Sequence, residues 1–325
     1  MIRTTRRATL AAALGSPFVA RAQGAWLPSR PVRLVLPFAP GGLTDILARA
    51  AAEQLSPRLG QPVVVENRAG AGGNLAAEAV ARAAPDGHTL LVATQGIIAI
   101  NSVLFPRLAY DPDADFTPIG ILAQQPNLLV VSPRALPQVS SVAQLLETAA
   151  RTPGGLSYGS NGVGSFTHLT MELLRAQTGV PMTHVPYRGS APLLTDMIAG
   201  TIPVAFDGLA TSAPQVRAGA LRAIGVTSAE RFRAMPEVPA IAETVPQFFA
   251  SPWYAVFAQT ALPAPILDAL HAQFRAVLES PAWAAVLAQR EADAMPQERA
   301  LLADIMARER RVWREAVARS GARAE

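Results

Sequence analysis

The fragment "PFAPGGLTD", Pro37 to Asp45, can hold an anion with its backbone alone. It follows the apolar run "VRLVL" and leads into "ILARAAAEQL", so a strand ends in glycines and a helix begins at once. The first N–H groups of a helix have no acceptor within it. Together with the macrodipole, about half a positive charge at that end, they form an anion site. Gly41 and Gly42 let a ligand atom approach the backbone with no Cβ in the way. Thr44 adds a hydroxyl. Asp45 either caps its own helix or receives a ligand's hydroxyl, ammonium or bound water.

"YGSNGVGSFTHL" repeats the design further along, where Ser160, Asn161, Gly162, Gly164 and Ser165 supply hydroxyls, an amide and open backbone. His168 sits one turn into the helix that follows and reaches either the cleft or a structural hydrogen bond. "RAGAGGN", Arg68 to Asn74, is a third such turn. Tyr187 and Arg188 end "MTHVPYR", and a phenol and a guanidinium both suit a carboxylate, although Arg188 equally suits an ion pair. Asp207, closing "IPVAFD", accepts from a ligand donor or caps the next helix. Two helix starts facing each other across a cleft would neutralise a small carboxylate without an ammonium group. The chain has none to offer, because its 28 basic residues are all Arg.

Catalytic patterns are scarce. Neither Ser160 nor Ser165 lies in G-x-S-x-G, since Tyr158 and Val163 stand where glycine is needed. His88, His168, His184 and His271 form no H-E-x-x-H and no close metal pair. His184, inside an apolar strand, reads as a satisfied core residue. The glycine turns do not match G-x-G-x-x-G in register. Absent cysteines exclude thiolate chemistry, Cys-based zinc sites and iron–sulfur clusters, and absent lysines exclude Schiff bases. The expectation is a binding protein without catalytic residues, cofactor or metal.

Around these turns runs a repeated pattern of strand, glycine-rich turn and helix. "VRLVLPF", "PVVVEN" and "HTLLVAT" are strands, and Leu43 to Leu59 is a helix with Ile46, Leu47, Leu55 and Leu59 on one side. "NSVLFPRLAYDPDADFTPIG" reads as irregular. "NLLVVSP", "LSYGS", "MTHVPY", "IPVAFDG" and "LRAIGVTS" then alternate with helices, and the tail from Pro263 is helical. Such alternation means βαβ units around parallel sheets. The middle third is therefore a complete α/β unit inserted in another, which recovers its tail through "WYAVFAQ". The expected division is residues 23–125 and 229–325 in lobe 1 and 126–228 in lobe 2, with crossing segments near 124–131 and 221–228.

Half of the 325 residues are hydrophobic and 16% are charged, a globular composition. The formal net charge of +4 comes entirely from residues 1–22, which hold Arg3, Arg6, Arg7 and Arg21 and no acid. Without them 24 Arg face 24 acids, so the remainder has no electrostatic footprint for nucleic acid. A basic start, the apolar "ATLAAALGSPFVA" and "ARA" ending at Ala22 read as an export signal cleaved near Ala22. The apolar run falls short of the ~20 residues that span a bilayer. Arg6-Arg7 leaves both general and twin-arginine export open. The mature protein is expected to be soluble, outside the cytoplasm and monomeric.

Six stretches carry a family pattern: "RPVRLVLPFAPGGLTDILAR", "VVVENRAGAGGNLAAEAVARAAPDGHTLLVAT", "YDPDADFTPIG", "YGSNGVGSFTHLTMELL", "HVPYRGSAPLLTDMIAG" and "VTSAERFRAMPEVPAIAE". Together they resemble the Bug-type periplasmic substrate-binding receptors of tripartite tricarboxylate transporters. The resemblance implies a type II periplasmic-binding-protein fold, two α/β lobes closing on a di- or tricarboxylate, an amino acid or an aromatic acid. It also implies membrane transporter subunits as partners. Carried over, the gripping loops are Phe38, Ala39, Gly41, Gly42, Thr44 and Asp45 on one side and Ser160, Asn161, Gly164 and Ser165 on the other. Thr94, Gln95, Tyr187 and Asp207 match positions that shape the rest of the pocket. The chain departs from the family at "NSVLF", Asn101 to Phe105, where Asn-Pro-x-Leu-Tyr is usual, and at His88, where Tyr is common. A sensory binding protein uses the same cleft, and an exported enzyme acting on a similar acid is the third reading.

Overall fold

A computed structural model describes residues 26–105 and 107–320. The export-signal segment, 1–22, lies outside the described residues. Alternation of buried strands and capped helices gives, in chain order, β1 (Val32–Leu36), α1 (Leu43–Leu59), β2 (Val63–Asn67), α2 (Asn74–Ala81) and β3 (Thr89–Ala93). A π-helical turn, Gly96–Ile100, runs into α3 (Asn101–Leu104), then β4 (Phe116–Gln124) and β5 (Asn127–Val131) follow. The inserted unit continues with α4 (Val142–Arg151), β6 (Leu156–Ser160), α5 (Phe166–Thr178), β7 (Met182–Pro186), α6 (Ser190–Ala199), β8 (Val204–Gly208), α7 (Leu209–Arg217) and β9 (Arg222–Val226). The chain returns through β10 (Trp253–Gln259) and closes with α8 (Ala264–Leu278), α9 (Pro281–Gln289) and α10 (Arg299–Ser320).

The strands form two five-stranded sheets, ordered β2-β1-β3-β10-β4 and β7-β6-β8-β5-β9. In each, the strand that arrives from the other lobe, β10 or β5, pairs antiparallel with both neighbours, while β1–β2, β1–β3, β6–β7 and β6–β8 pair parallel. Runs such as "TLLVA" and "NLLVV" are buried at every position, as strands covered on both faces by helices must be. The expected two-lobed α/β architecture is therefore present, with "WYAVFAQ" returning to the first sheet.

Three details differ from the sequence expectation. Residues 221–228 are not a crossing: β9 pairs with β5 inside the second sheet. The chain stays on the second lobe, where Phe232, Met235 and Val238 join one of its cores and Ile241, Val245 and Phe248 the other. The second crossing comes at Ser251–Pro252, so lobe 2 extends about twenty residues beyond 228. Helical and irregular residues that bury a scattered apolar set carry no periodicity to reveal this. Next, "NSVLFPRLAYDPDADFTPIG" holds α3 and the start of β4. Pro118 and Gly120 hide that strand's signature; it lies at the sheet edge, where proline is tolerated. Last, α10 belongs to both lobes. Leu302 and Met306 enter the first-lobe core, whereas Trp313, Ala316 and Val317 enter the second. Among the described residues no helix is long and apolar enough to cross a membrane.

Candidate functional site

A cavity of about 700 Å³ opens between the sheets, within the usual range of small-molecule sites. The first lobe contributes Phe38, Thr44, Thr94 and Gln95, and the second Asn161, Gly164, Ser165 and Thr211. The crossings themselves supply Gln125, Asn127, Pro252 and Tyr254. No side chain on this wall carries a formal charge.

On the first-lobe side β1 ends at Leu36 and the loop reaches α1 through Gly41, whose φ of 96° lies where L side chains are strained. Gly42 caps α1 without a side-chain hydrogen bond, so the helix's first N–H groups stay open to a ligand, and Leu43 and Thr44 line the cavity. Asp45 does not. It is 4% exposed and accepts from Gly41 N–H at 3.1 Å, from Arg49 Nη2 at 2.9 Å and from Asn67 Nδ2 at 3.0 Å. Asn67 Nδ2 also donates to the Phe38 carbonyl, so the aspartate fastens both halves of the loop. The Arg49 guanidinium, outweighing burial, holds its carboxyl at about 2. Asp45 thus braces the loop from behind and does not line the cavity. Gly41 and Gly42 line an adjoining cleft that shares Leu43, Gln125 and Ala210 with the cavity, while Ala39 is exposed and lines neither.

The second-lobe loop follows β6. Ser160 is fully buried, its Oγ 2.6 Å from His184 Nε2 and bonded to Gly162 through both N–H and carbonyl. His168 Nδ1 accepts the Gly164 N–H at 3.1 Å, and its ring stacks on His184 with centroids 3.8 Å apart. Burial lowers both imidazoles, and His184, with His168 beside it, falls to about 4. Ser165 caps α5 by accepting from His168 N–H and lines the cavity. Asp207 is completely buried and accepts from Ser190 Oγ at 2.5 Å, Thr211 Oγ1 at 2.5 Å, Ser212 Oγ at 2.9 Å and Asn161 Nδ2 at 3.3 Å. The Tyr187 phenol donates to Asp196 Oδ2 at 2.6 Å, and burial first, then that carboxylate, pushes it up to about 12.

So of the residues expected to touch a ligand, Phe38, Thr44, Thr94, Gln95, Asn161, Gly164 and Ser165 are on the cavity wall. Ser160, His168, Tyr187, Asp207 and Asp45 are off it. Asp207 holds Ser190, Asn161 and Thr211, and His168 holds Gly164, all on the wall. Asp45 fastens the loop at Phe38 through Asn67, whereas Ser160 and Tyr187 bond Gly162, His184 and Asp196, which are not on the wall. Arg188 is exposed and makes no ion pair among the described residues. Ser160 and His184 are the pair nearest to a nucleophile with its base, but Ser160 is off the wall and already bonded. Among the described residues no group of three His, Asp or Glu is placed to hold a metal.

Sequence reading missed the start of α7. "GLAT", Gly208 to Thr211, mirrors "GLTD", Gly42 to Asp45: strand, glycine cap without a side-chain bond, then helix. Gly208, Ala210 and Thr211 line the cavity, as do Ser190 at the start of α6 and Asn127 at the first crossing. The repeated Gly-Leu-x was the signal available.

Comparison with known proteins agrees with the two-lobed fold. Protein BugT of Bordetella pertussis is 35% identical over 302 residues, 91% of each chain. A solved structure described as R. palustris Rpa4515 with adipate is 38% identical, with a TM-score of 0.75 over 90% of this chain and 98% of that one. MatC (Rpa3494) from Rhodopseudomonas palustris with bound malate is 34% identical, with a TM-score of 0.72 over 90% of this chain and 100% of that one. The family model "Tripartite tricarboxylate transporter family receptor" matches residues 47–320, and the chain belongs to that family.

Proposed function

We propose that this protein is a periplasmic solute-binding receptor that closes on a small carboxylate and delivers it to the membrane subunits of a tripartite transporter. Residues 1–22 direct its export, and it acts as a monomer. The observation that carries this reading is an uncharged cavity faced from both lobes by helix starts, α1 and α7, whose glycine caps leave their N–H groups free. Those donors, with the Thr44 hydroxyl, hold the carboxylate; each such bond to a charged group is worth about 1.5–3 kcal/mol. Against the lost hydration of the anion, four of them fit a dissociation constant near micromolar, about −8 kcal/mol. Relatives bound to adipate and malate support the ligand class. Closure about the crossings at 124–127 and 251–252 is the switch that a transporter reads.

The test is calorimetry and thermal shift over a panel of organic acids with the purified mature chain. One acid is expected to bind one to one and raise Tm, by about 2.7 kcal/mol of stabilisation at a hundredfold excess over Kd. Turnover of an acid would support an enzyme instead, and no binding across the panel would remove the receptor reading.

A further inference from the structure

The two ends of the cavity differ in chemistry. At one end stand the starts of α1 and α7 and the first crossing; Thr44, Thr94 and the Asn127 side chain have no hydrogen-bond partner among the described residues. The other end is apolar. Ile100, Leu104, Phe105 and Phe166 form one continuous cluster with the second-lobe core, and Leu104 reaches across the cleft to within 2.6 Å of where a Cβ on Gly164 would stand. Phe38 and Val163, 39% and 57% exposed, extend this surface from opposed loops. The polar side chains nearby are already engaged: Asn101 Nδ2 with Gly72 O and Asn74, Ser165 Oγ with the His168 N–H and Thr167.

A hydroxyl or further carboxylate lying against Ile100, Leu104 and Phe105 would lose its water and find no free side-chain donor among them, with the Asn101 amide already engaged, which is costly. A hydrocarbon body there gains with every methylene it buries. We infer that the ligand is an organic acid whose carboxylate sits at the helix-start end and whose body is an uncharged alkyl or aryl group packed on Leu104, Phe105 and Phe166. This rests on the receptor reading above and narrows it.

Titration calorimetry with hexanoate, phenylpropanoate, malate and citrate tests it. The first two should bind at least about tenfold more tightly than the last two, the worth of roughly two buried methylenes. Malate or citrate binding as tightly would overturn the apolar body while leaving a carboxylate receptor standing. If none of the four binds, both readings fall. Phe105→Asn should shrink the preference for phenylpropanoate over malate at least threefold. Phe38→Ser, at an exposed position where folding is not at stake, should shrink it in the same direction. An unchanged ratio in the folded variants would overturn the placement of the body.

Discussion

In the first lobe Asp45 is buried behind its loop but meets the half-exposed Arg49, one amide side chain and one backbone N–H. In the second lobe Asp207, wholly buried, meets three hydroxyls and an amide, and no cation. Both carboxylates do the same job, holding cavity-facing groups from behind. They differ because their surroundings do: Phe38, Ala39, Gly41 and Gly42 are exposed, so a guanidinium can stay hydrated while it pairs, whereas Asp207 ends a strand buried between two cores. An ion pair beside water tolerates losing a partner better than a buried network does. The lesson is that a cleft can use rigid polar brackets without placing any charge on its own wall.

The sharpest way to break the comparison is to remove each aspartate. Asp207→Ala strands Ser190, Asn161, Thr211 and Ser212 on a site that water reaches poorly. The expected loss is about 3 kcal/mol, partly relieved because Thr211 and Ser212 also reach the Gly208 carbonyl. Urea denaturation should show a clearly lower midpoint, and ligand affinity should fall with it, because Asn161 and Ser190 lose their anchor. A midpoint equal to wild type would mean that the hydroxyls, not the carboxylate, organise this wall.

Acid should separate the lobes without any mutation. His184 stays neutral in the folded chain until about pH 4, because it is partly buried and stacked on His168 above Tyr158, near Glu172 and Arg175. The unfolded chain takes up that proton near 6.5, so falling pH between 6.5 and 4 favours unfolding, by about 3 kcal/mol at most, which partial solvation of the ring reduces to about 2 kcal/mol. The second-lobe loop should loosen first. Hydrogen exchange at Gly162 and Gly164, followed from pH 7 to pH 4, checks this: protection should drop there before it drops at Gly41. His184→Gln should flatten the dependence in that window.

The first-lobe brace answers to stronger acid. Asp45 remains ionised in the folded chain down to about 2, against an ordinary 3.8, so its contribution is intact above pH 4 and lost between about 4 and 2. The shift corresponds to about 2 kcal/mol at most, and pairing with a solvent-exposed guanidinium reduces that to about 1 kcal/mol. Asp45→Asn should lower Tm modestly at pH 7 and leave it unchanged near pH 2. Equal destabilisation at both pH values would show that the side chain's shape, and not its charge, fastens the loop.

Much of this was legible in the chain, and the rest was hidden for physical reasons. Strands buried on both faces and glycine-led helix starts are local, so the βα units, both lobes and the loops at 37–45 and 160–165 follow from residues read in order. Which side of a loop a residue serves is not local. Ser160 and His168 look like ligand groups in the sequence, but Ser160 Oγ meets His184, from the next strand, His168 Nδ1 meets the Gly164 N–H, and neither residue lines the cavity. Asn127 and Tyr254 sit at crossings with unremarkable composition, and the apolar end of the cavity is built from α3, inside a stretch whose proline and aspartates read as irregular. The second crossing was misplaced because residues 229–250 pack through scattered apolar side chains, a pattern without a period.

The smallest change in stability tests the shared feature of the two lobes, their open helix starts. Gly42 caps α1 at φ −77° and ψ 169°, extended backbone that serine adopts, and a Cβ there meets no atom within 4 Å. Gly42→Ser should therefore fold normally and gain a few tenths of a kcal/mol, since its Oγ can accept from the N–H of Thr44 or Asp45. Those same N–H groups would then be lost to a ligand, so affinity should fall about tenfold, the worth of one bond to a charged acceptor. The opposite signs make the experiment decisive: urea midpoint and calorimetric Kd are measured on one variant. If stability rises while Kd stays put, the carboxylate is not held at the start of α1, and α7 with its neighbours in the second lobe must carry the anion alone.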